Sequence, residues 1–228
     1  MFDGKFRTPV DKAVKPVGNA LRRTGLTPDH LTVLGLIVGI GAAIAIGSGR
    51  LLLGLFLVVL AALPDLLDGA LAKASDSSSQ RGAFFDSTVD RVTDAFLLGG
   101  IAWYFASEES PHMALLPFAV MAVSSIISYE RAKAESLGIE AKGGLMERAE
   151  RIIAICLGLL IPVLLIPILW VMLALTTITA IQRFVKVWKQ AAVAPVTAER
   201  IEMRRSRRQS RRVARTERRR TRVPRRRP

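Results

Sequence analysis

Four aspartates fall into two pairs whose spacing suits a metal site. Asp65 and Asp68 are spaced i, i+3 and Asp86 and Asp90 are spaced i, i+4, so helices would place each pair on one face. The polar segment of residues 75–81 is short enough to let two such helices pack antiparallel and bring the four carboxylates together. Oxygen-only ligands suit a hard cation, Mg²⁺ or Mn²⁺, and a carboxylate to spare can act as a general base.

The surroundings of the aspartates favour a binding site over a solvated acidic loop. Both pairs adjoin long apolar runs, and a carboxylate in or near a bilayer is costly unless a cation pairs with it. Gly69, Ala72 and Gly82 are small, so a bulky ligand can approach the helix backbones closely. We therefore expect a cation site that also receives a larger ligand.

This stretch resembles the signature of the CDP-alcohol phosphatidyltransferase family, D-x2-D-G-x2-A-R-x8/9-G-x3-D-x3-D. Seven of the eight fixed positions agree, and Lys73 stands where the family usually has arginine. A lysine at this position supplies the charge for the diphosphate but not the bidentate fork of a guanidinium. The matching residues are Asp65, Asp68, Gly69, Ala72, Gly82, Asp86 and Asp90.

The resemblance implies a role for each of these residues. Asp65, Asp68 and Asp86 would ligate divalent cations, typically two, and Asp90 would be the general base with a share in metal binding. The residues that would bind the cytidine nucleotide are Asp29, Thr32, Asp68, Gly69, Ala72, Lys73 and Gly82. Thr27, Pro28, Asp29 and Thr32 also resemble the family's T-P-D/N-x-x-T start of the first span, although an ordinary helix N-cap explains these residues equally well.

Four cations at two predicted helix ends bear on the acceptor alcohol. Arg131 and Lys133 end the fourth apolar run, and Arg148 and Arg151 open the fifth. They can form a pocket for an anionic headgroup such as a phosphomonoester, or they are ordinary basic residues at a cytoplasmic membrane surface.

These basic segments, with GAFFDSTVDR at residues 82–91, resemble the actinobacterial phosphatidylinositol phosphate synthases within the family. The resemblance implies transfer of the phosphatidyl group of CDP-diacylglycerol to myo-inositol phosphate with release of CMP. It also implies a homodimer. Phosphatidylglycerophosphate synthases usually have a lysine and a proline in the segment, and this chain has neither.

The composition describes an apolar body that carries a basic tail. Half of the 228 residues are hydrophobic, yet the net charge is +14. Residues 199–228 contain fifteen arginines and three glutamates, a net charge of +12, which leaves +2 for the rest. Charge-free runs cover residues 31–48, 51–64, 95–106, 112–129 and 152–182.

Run length and charge placement predict an all-α protein with six transmembrane helices. The run of residues 152–182 would be about 46 Å long as one helix, and Pro162 and Pro167 can divide it into two spans. With six spans, Lys and Arg alternate between the two sides of the membrane, whereas five spans would place the arginine tail outside. We therefore predict a multi-pass cell-membrane protein whose termini and active site are cytoplasmic.

We predict three regions along the chain. Residues 1–30 would form an interfacial amphipathic helix, unless they are merely a frayed terminus, and residues 31–190 the six-helix transmembrane domain. Residues 191–228 would be a disordered Arg-rich tail that contacts anionic lipid, or nucleic acid nonspecifically. Cys156 is the only cysteine, so a disulfide within the chain and a thiolate metal cluster are excluded.

Three other functions remain open at this point. The same chemistry can use another alcohol such as glycerol 3-phosphate, as in a phosphatidylglycerophosphate synthase. Intramembrane carboxylates also occur along the paths of ion transporters, although here they gather at one side of the membrane. The body can also serve as a membrane anchor for an RNA-binding tail.

Overall fold

The structure, a computed structural model, describes residues 27–75, 79–107, 111–141, 143–192 and 203, with only the backbone given for residues 28 and 64–75. Within these residues the chain is helical and has no strand, which confirms the predicted all-α class. The α-helices are α1 (Pro28–Gly47), α2 (Leu51–Ser75), α3 (Gln80–Ser107), α4 (Leu115–Ser136), α5 (Arg148–Leu160) and α6 (Leu165–Ala191). Short 3-10 turns, Pro111–Ala114 and Pro162–Leu164, precede α4 and α6.

Several of these helices suit a bilayer. Three stretches are long and apolar enough to cross one, namely Asp29–Gly47, Pro111–Ser136 and Pro162–Ala191, and Leu51–Leu63 is a shorter apolar stretch. Large apolar side chains such as Phe56, Phe118 and Trp170 are exposed, as lipid-facing residues are. The chain is therefore a membrane protein.

The long apolar run of residues 152–182 is divided as its prolines predict. Helix α5 ends at Leu160, and α6 begins at Leu165 after the turn that starts with Pro162. Pro167 lies in the first turn of α6, where its missing N–H costs no helical hydrogen bond.

Helix α1 holds together the two helices that carry the aspartate pairs. It packs against both α2 and α3, while α3 also contacts α4 and α2 contacts α5. In the described part of the chain, α2 and α3 have little direct contact with each other, and both pack against α1. The core between the helices is apolar: Ile46, Ile101, Leu159 and Leu169 have no exposed surface. The structure divides into a unit that ends at Phe184 and one that begins at Val185, and the site described below belongs to the first.

Gly100 lies where α3 approaches the backbone of α1. A Cβ atom at this position would lie 2.5 Å from the Ala43 carbonyl oxygen and 2.8 Å from the Ala43 Cα. Backbone atoms cannot move aside as a flexible side chain can, so Gly100→Ala should force the helices apart. We expect this overpacking to destabilise the protein by about 1–3 kcal/mol, measured as a lower melting temperature in detergent.

The adjacent Gly99 provides a matched control for this prediction. It is exposed, and a Cβ atom added there would meet nothing within 4 Å. Because alanine favours a helix over glycine by about 1 kcal/mol, Gly99→Ala should melt at the wild-type temperature or slightly above it. Equal melting temperatures for the two variants would contradict the close approach of α1 and α3.

Candidate active site

Helix α3 presents the second aspartate pair on one face. The helix is capped by Ser79, whose Oγ accepts a hydrogen bond from the Gly82 N–H at 3.0 Å. Asp86 and Asp90 follow one turn apart and are both partly buried. They are the described half of the predicted four-carboxylate site, because the side chains of Asp65 and Asp68 lie outside the described residues.

The start of α1 lies beside the start of α3. A Cβ atom placed on Gly82 would lie 3.8 Å from Asp29 Oδ1, so these two predicted nucleotide-binding residues are neighbours although they are distant in sequence. Thr27 caps α1, since its Oγ1 accepts from the His30 N–H at 3.4 Å while His30 Nδ1 accepts from the Thr27 N–H at 3.3 Å. The N-cap explanation of this segment is thus correct, and it leaves Asp29 available for a ligand role.

An alternating network of charges connects α3 to α5. Arg148 Nη1 lies 2.8 Å from Asp90 Oδ1, and Arg148 Nε lies 3.4 Å from Asp94 Oδ1. The second oxygen of Asp94 lies 2.6 Å from Arg151 Nη2. The network therefore places two of the predicted acceptor-binding arginines against the predicted base and against an aspartate that the sequence motif does not include.

Asp94 is a residue that the sequence analysis missed. The available signal was its position four residues after Asp90, which continues the acidic face of α3 by one more turn. Its side chain is only 13% exposed. A buried carboxylate is costly unless it is paired, and here both of its oxygens face arginines.

The face of α3 toward α4 carries a second arginine contact. Arg91 Nε donates to Ser128 Oγ at 2.9 Å, and its Nη1 donates to the Ser87 carbonyl oxygen at 3.2 Å. The same Nη1 lies 3.4 Å from Asp90 Oδ2. Asp90 therefore has a guanidinium on each side, one from its own helix and one from α5.

The other two predicted acceptor-binding residues lie at the end of α4. Arg131 Nε is 3.0 Å from Glu135 Oε1 on the same helix, and both side chains are about half exposed, at 49% and 53%. Lys133 is exposed as well. The structure thus joins Arg148 and Arg151 directly through Asp94, whereas Arg131 pairs within its own helix.

Arg183 is a second residue that the sequence analysis missed. It is 5% exposed, and it donates to the Ile127 carbonyl oxygen at 3.0 Å and to the Gly143 carbonyl oxygen at 3.1 Å. These bonds tie α6 to α4 and to the segment between α4 and α5. The signal in the sequence was a charge placed directly at the end of the longest apolar run.

Thr179, one turn before Arg183, holds the same connecting segment. Its Oγ1 accepts from the N–H groups of Leu145 and Met146 at 3.2 and 3.3 Å. The two residues of α6 therefore order the segment that leads into α5. Because α5 begins at Arg148, the anchored segment leads directly into the helix that carries this guanidinium.

The described donor set fits part of a hard-cation site. Among the side chains that the structure gives, no group of three or more His, Cys, Asp or Glu residues can hold a metal, and Asp65 and Asp68 are not among them. Asp86 and Asp90 offer carboxylate oxygens from one face of a helix, which is the ligand chemistry that Mg²⁺ and Mn²⁺ prefer. The backbone of α2 is helical through residues 65–68, so its two aspartates also share a face.

Comparison with known proteins decides the family. The sequence model of the CDP-alcohol phosphatidyltransferases matches residues 25–188, well over half of the chain and the whole of the described site. The chain belongs to the CDP-alcohol phosphatidyltransferase family. It is a phosphotransferase of phospholipid synthesis, and the predicted family and the expected use of divalent metal ions are confirmed.

Two curated relatives within this family carry the same name. The phosphatidylinositol phosphate synthase of Mycobacteroides abscessus is 38% identical over 149 residues, which cover 64% of this chain and 68% of that one. The enzyme of the same name from Mycolicibacterium smegmatis is 33% identical over 182 residues, covering 75% and 82% of the two chains. The similarity therefore extends over most of both proteins.

Solved structures are similar at the level of the fold as well. The crystal structure of Mycobacterium tuberculosis phosphatidylinositol phosphate synthase with CDP-DAG bound is 31% identical and covers 78% of this chain and 94% of its own, with a TM-score of 0.73. The same protein in complex with manganese and citrate covers 77% and 88%, also with a TM-score of 0.73.

Proposed function

We propose that this protein transfers the phosphatidyl group of CDP-diacylglycerol to myo-inositol phosphate, giving phosphatidylinositol phosphate and CMP. The observation that carries the proposal is the 2.8 Å contact between Arg148 Nη1 and Asp90 Oδ1. A guanidinium that binds a phosphate at this place brings the hydroxyls of the same molecule next to the base. The names of the relatives and the CDP-DAG bound to the similar structure support the same substrates.

In the proposed reaction Asp90 takes the proton from the attacking inositol hydroxyl. The hydroxyl oxygen forms a bond to the phosphorus that carries diacylglycerol, and the bond from that phosphorus to the CMP oxygen breaks. Divalent cations, which we propose to be two Mg²⁺ or Mn²⁺ ions held by Asp65, Asp68, Asp86 and Asp90, would supply charge neutralisation of the diphosphate. Asp90 then releases its proton to water as CMP leaves.

The nucleotide half of the substrate would lie between the starts of α1 and α3 and the end of α2. We assign it to Asp29, Thr32, Asp68, Gly69, Ala72, Lys73 and Gly82. The proximity of Asp29 to Gly82 supports this assignment, and the absence of a side chain on Gly82 leaves room for the ligand beside the carboxylate.

The acceptor phosphate would be bound by Arg131, Lys133, Arg148 and Arg151. Among them Arg148 has the most direct position, because its guanidinium contacts the base and its side chain is 24% exposed. Arg151 is more deeply buried, with 7% of its side chain exposed. It would lie at the bottom of the pocket, where it pairs with Asp94. Arg131 and Lys133 would approach the acceptor from the end of α4.

The membrane arrangement that we propose has six spans with both termini and the active site in the cytoplasm. It is supported by the six α-helices of the described residues and by the alternation of basic connections. We further propose an amphipathic interfacial helix in residues 1–30, a transmembrane domain in residues 31–190 and a disordered Arg-rich tail in residues 191–228 that contacts anionic lipid. These segments lie partly or wholly outside the described residues. The functional unit would be a homodimer.

The test is CMP release by the purified protein in detergent with CDP-diacylglycerol and Mg²⁺, with each acceptor added separately. We expect release with inositol phosphate to exceed release with free inositol or serine by at least ~10²-fold, because only a phosphorylated acceptor supplies the anion that these cations would bind. If CMP is released with glycerol 3-phosphate instead, inositol phosphate is not the acceptor, while the proposed transfer of the phosphatidyl group still holds. No release with any acceptor from folded protein would overturn the proposal.

A further inference from the structure

Asp94 lies one helical turn beyond the family motif that ends at Asp90, on the face of α3 whose side chains contact α5. Its side chain is 13% exposed and the next turns of α3 are apolar and buried, with Leu97, Leu98 and Ile101 at 3% exposure or less. A carboxylate at such a depth is unfavourable unless cations pair with it. Its two partners, Arg148 and Arg151, are both at the start of α5.

The two contacts of Asp94 differ in kind. With Arg151 it makes a close pair of 2.6 Å in which both side chains are nearly buried. With Arg148 it makes a longer contact of 3.4 Å, and that contact is to Nε, the inner nitrogen of the guanidinium. The close pair anchors Asp94, and the longer one orients a second side chain against this anchor.

The geometry of the guanidinium makes this orientation effective. Its five N–H donors lie in one plane in a fixed fork, so a group that holds Nε also sets the directions of the two terminal nitrogens. In Arg148 one of them, Nη1, lies 2.8 Å from Asp90 Oδ1. Asp94 therefore contributes to the direction from which Arg148 meets the predicted base.

We propose that Asp94 is a positioning residue for the acceptor, and this inference rests on the proposed function. By holding Arg148 at Nε and sharing its charge, Asp94 keeps the terminal nitrogens directed at an acceptor phosphate next to Asp90. When Asp94 is removed, Arg148 loses this contact, and a turn of its guanidinium toward Asp90 would form a bidentate pair, which is the stronger geometry for an arginine and a carboxylate. In that pair Arg148 would no longer bind the acceptor phosphate, and Asp90 would no longer be available to the acceptor hydroxyl.

Asp94→Asn removes the charge and keeps the shape of the side chain. We expect the KM for inositol phosphate to rise about 10- to 30-fold, while the KM for CDP-diacylglycerol changes by less than about threefold, since the nucleotide is bound elsewhere. Asp94→Glu retains the charge, so the increase in log KM for inositol phosphate should be at most half of the increase in Asp94→Asn. A merely structural role would instead lower the folded fraction and affect both substrates alike.

A double-mutant cycle with Arg148→Gln tests whether Asp94 acts through Arg148. If it does, adding Asp94→Asn to Arg148→Gln should change the acceptor KM by less than about twofold, because groups that act together are not additive. Independent, additive effects of the two substitutions would overturn the inference. So would an unchanged acceptor KM in folded Asp94→Asn protein.

A measurement without turnover keeps the inference separate from the proposed function. The apparent affinity for inositol phosphate, or for glycerol 3-phosphate, is also read from the rise in melting temperature as the compound is added. If the wild-type protein is stabilised by the compound but releases no CMP, the proposed function is refuted. The double-mutant cycle can then still be measured from the melting temperatures. If Asp94→Asn does not fold, Asp94→Glu, which keeps the charge but lengthens the side chain, should raise the KM for inositol phosphate alone, and an equal effect on both substrates would contradict the inference.

Discussion

Asp90→Asn is expected to reduce CMP release from CDP-diacylglycerol by at least ~10³-fold, because it removes the proposed base and a proposed metal ligand together. The amide of asparagine has nearly the shape of the carboxylate but cannot accept the proton of the acceptor hydroxyl. The measurement is the initial rate with inositol phosphate at saturating Mg²⁺. The melting temperature should stay close to that of the wild type, since Arg148 retains its contact with Asp94.

The same chemical change at an unrelated carboxylate provides the control. Glu140 is exposed in the segment after α4 and lies outside the site. Glu140→Gln should therefore release CMP at a rate within about twofold of the wild type, because exposed substitutions away from a binding site usually have small effects. If Asp90→Asn kept more than a tenth of the wild-type rate, another group would have to be the base. Asp86 would then be the first candidate, as the next carboxylate on the same face of α3.

Asp86→Asn should act through the metal rather than through proton transfer. It removes one proposed anionic oxygen ligand, and we expect the Mg²⁺ or Mn²⁺ concentration for half-maximal activity to rise at least ~100-fold, beyond the 10- to 100-fold effect typical of residues that only support a ligand. Wild-type protein treated with EDTA should be inactive and regain its rate when either cation is added. The measurement is a metal titration of CMP release after such treatment.

The two aspartate variants can be told apart at high metal concentration. Excess Mn²⁺ should restore a substantial part of the rate to Asp86→Asn, whereas Asp90→Asn should remain slow because the base is still missing. If both variants were rescued equally, Asp90 would be a metal ligand without a separate role as base. If Asp86→Asn kept the wild-type metal dependence, Asp86 would not belong to the ligand set.

The features that the sequence predicted correctly depend on neighbours along the chain. The i, i+4 spacing places Asp86 and Asp90 on one face of α3, and the prolines of the last apolar run divide it into α5 and α6. The helix cap at Thr27 likewise depends only on His30, three residues further along the chain. The family followed from a motif with fixed gaps, because such a motif lies in short segments whose internal geometry is set by the helix itself.

Other features depend on how the helices are rotated and shifted against one another. Gly99 and Gly100 are equivalent in the sequence, and only packing shows that Gly100 meets the backbone of α1 while Gly99 is exposed. Arg148 and Arg151 were predicted to face an acceptor, but which carboxylates they would meet, 54 and 57 residues away, could not be read from spacing.

The sequence by itself therefore determined the fold class, the family and the two aspartate pairs, since periodicity and motif gaps are local properties of helices. Only the tertiary structure decided that Asp94 pairs with two arginines at the start of α5, of which Arg148 also contacts the predicted base. It also decided that Arg183 of α6 bonds the segment before α5. The physical reason is that apolar periodicity states which face of a helix is buried but not its depth or its partner. For a charged side chain, depth and partner decide whether it is solvated, paired or part of a site.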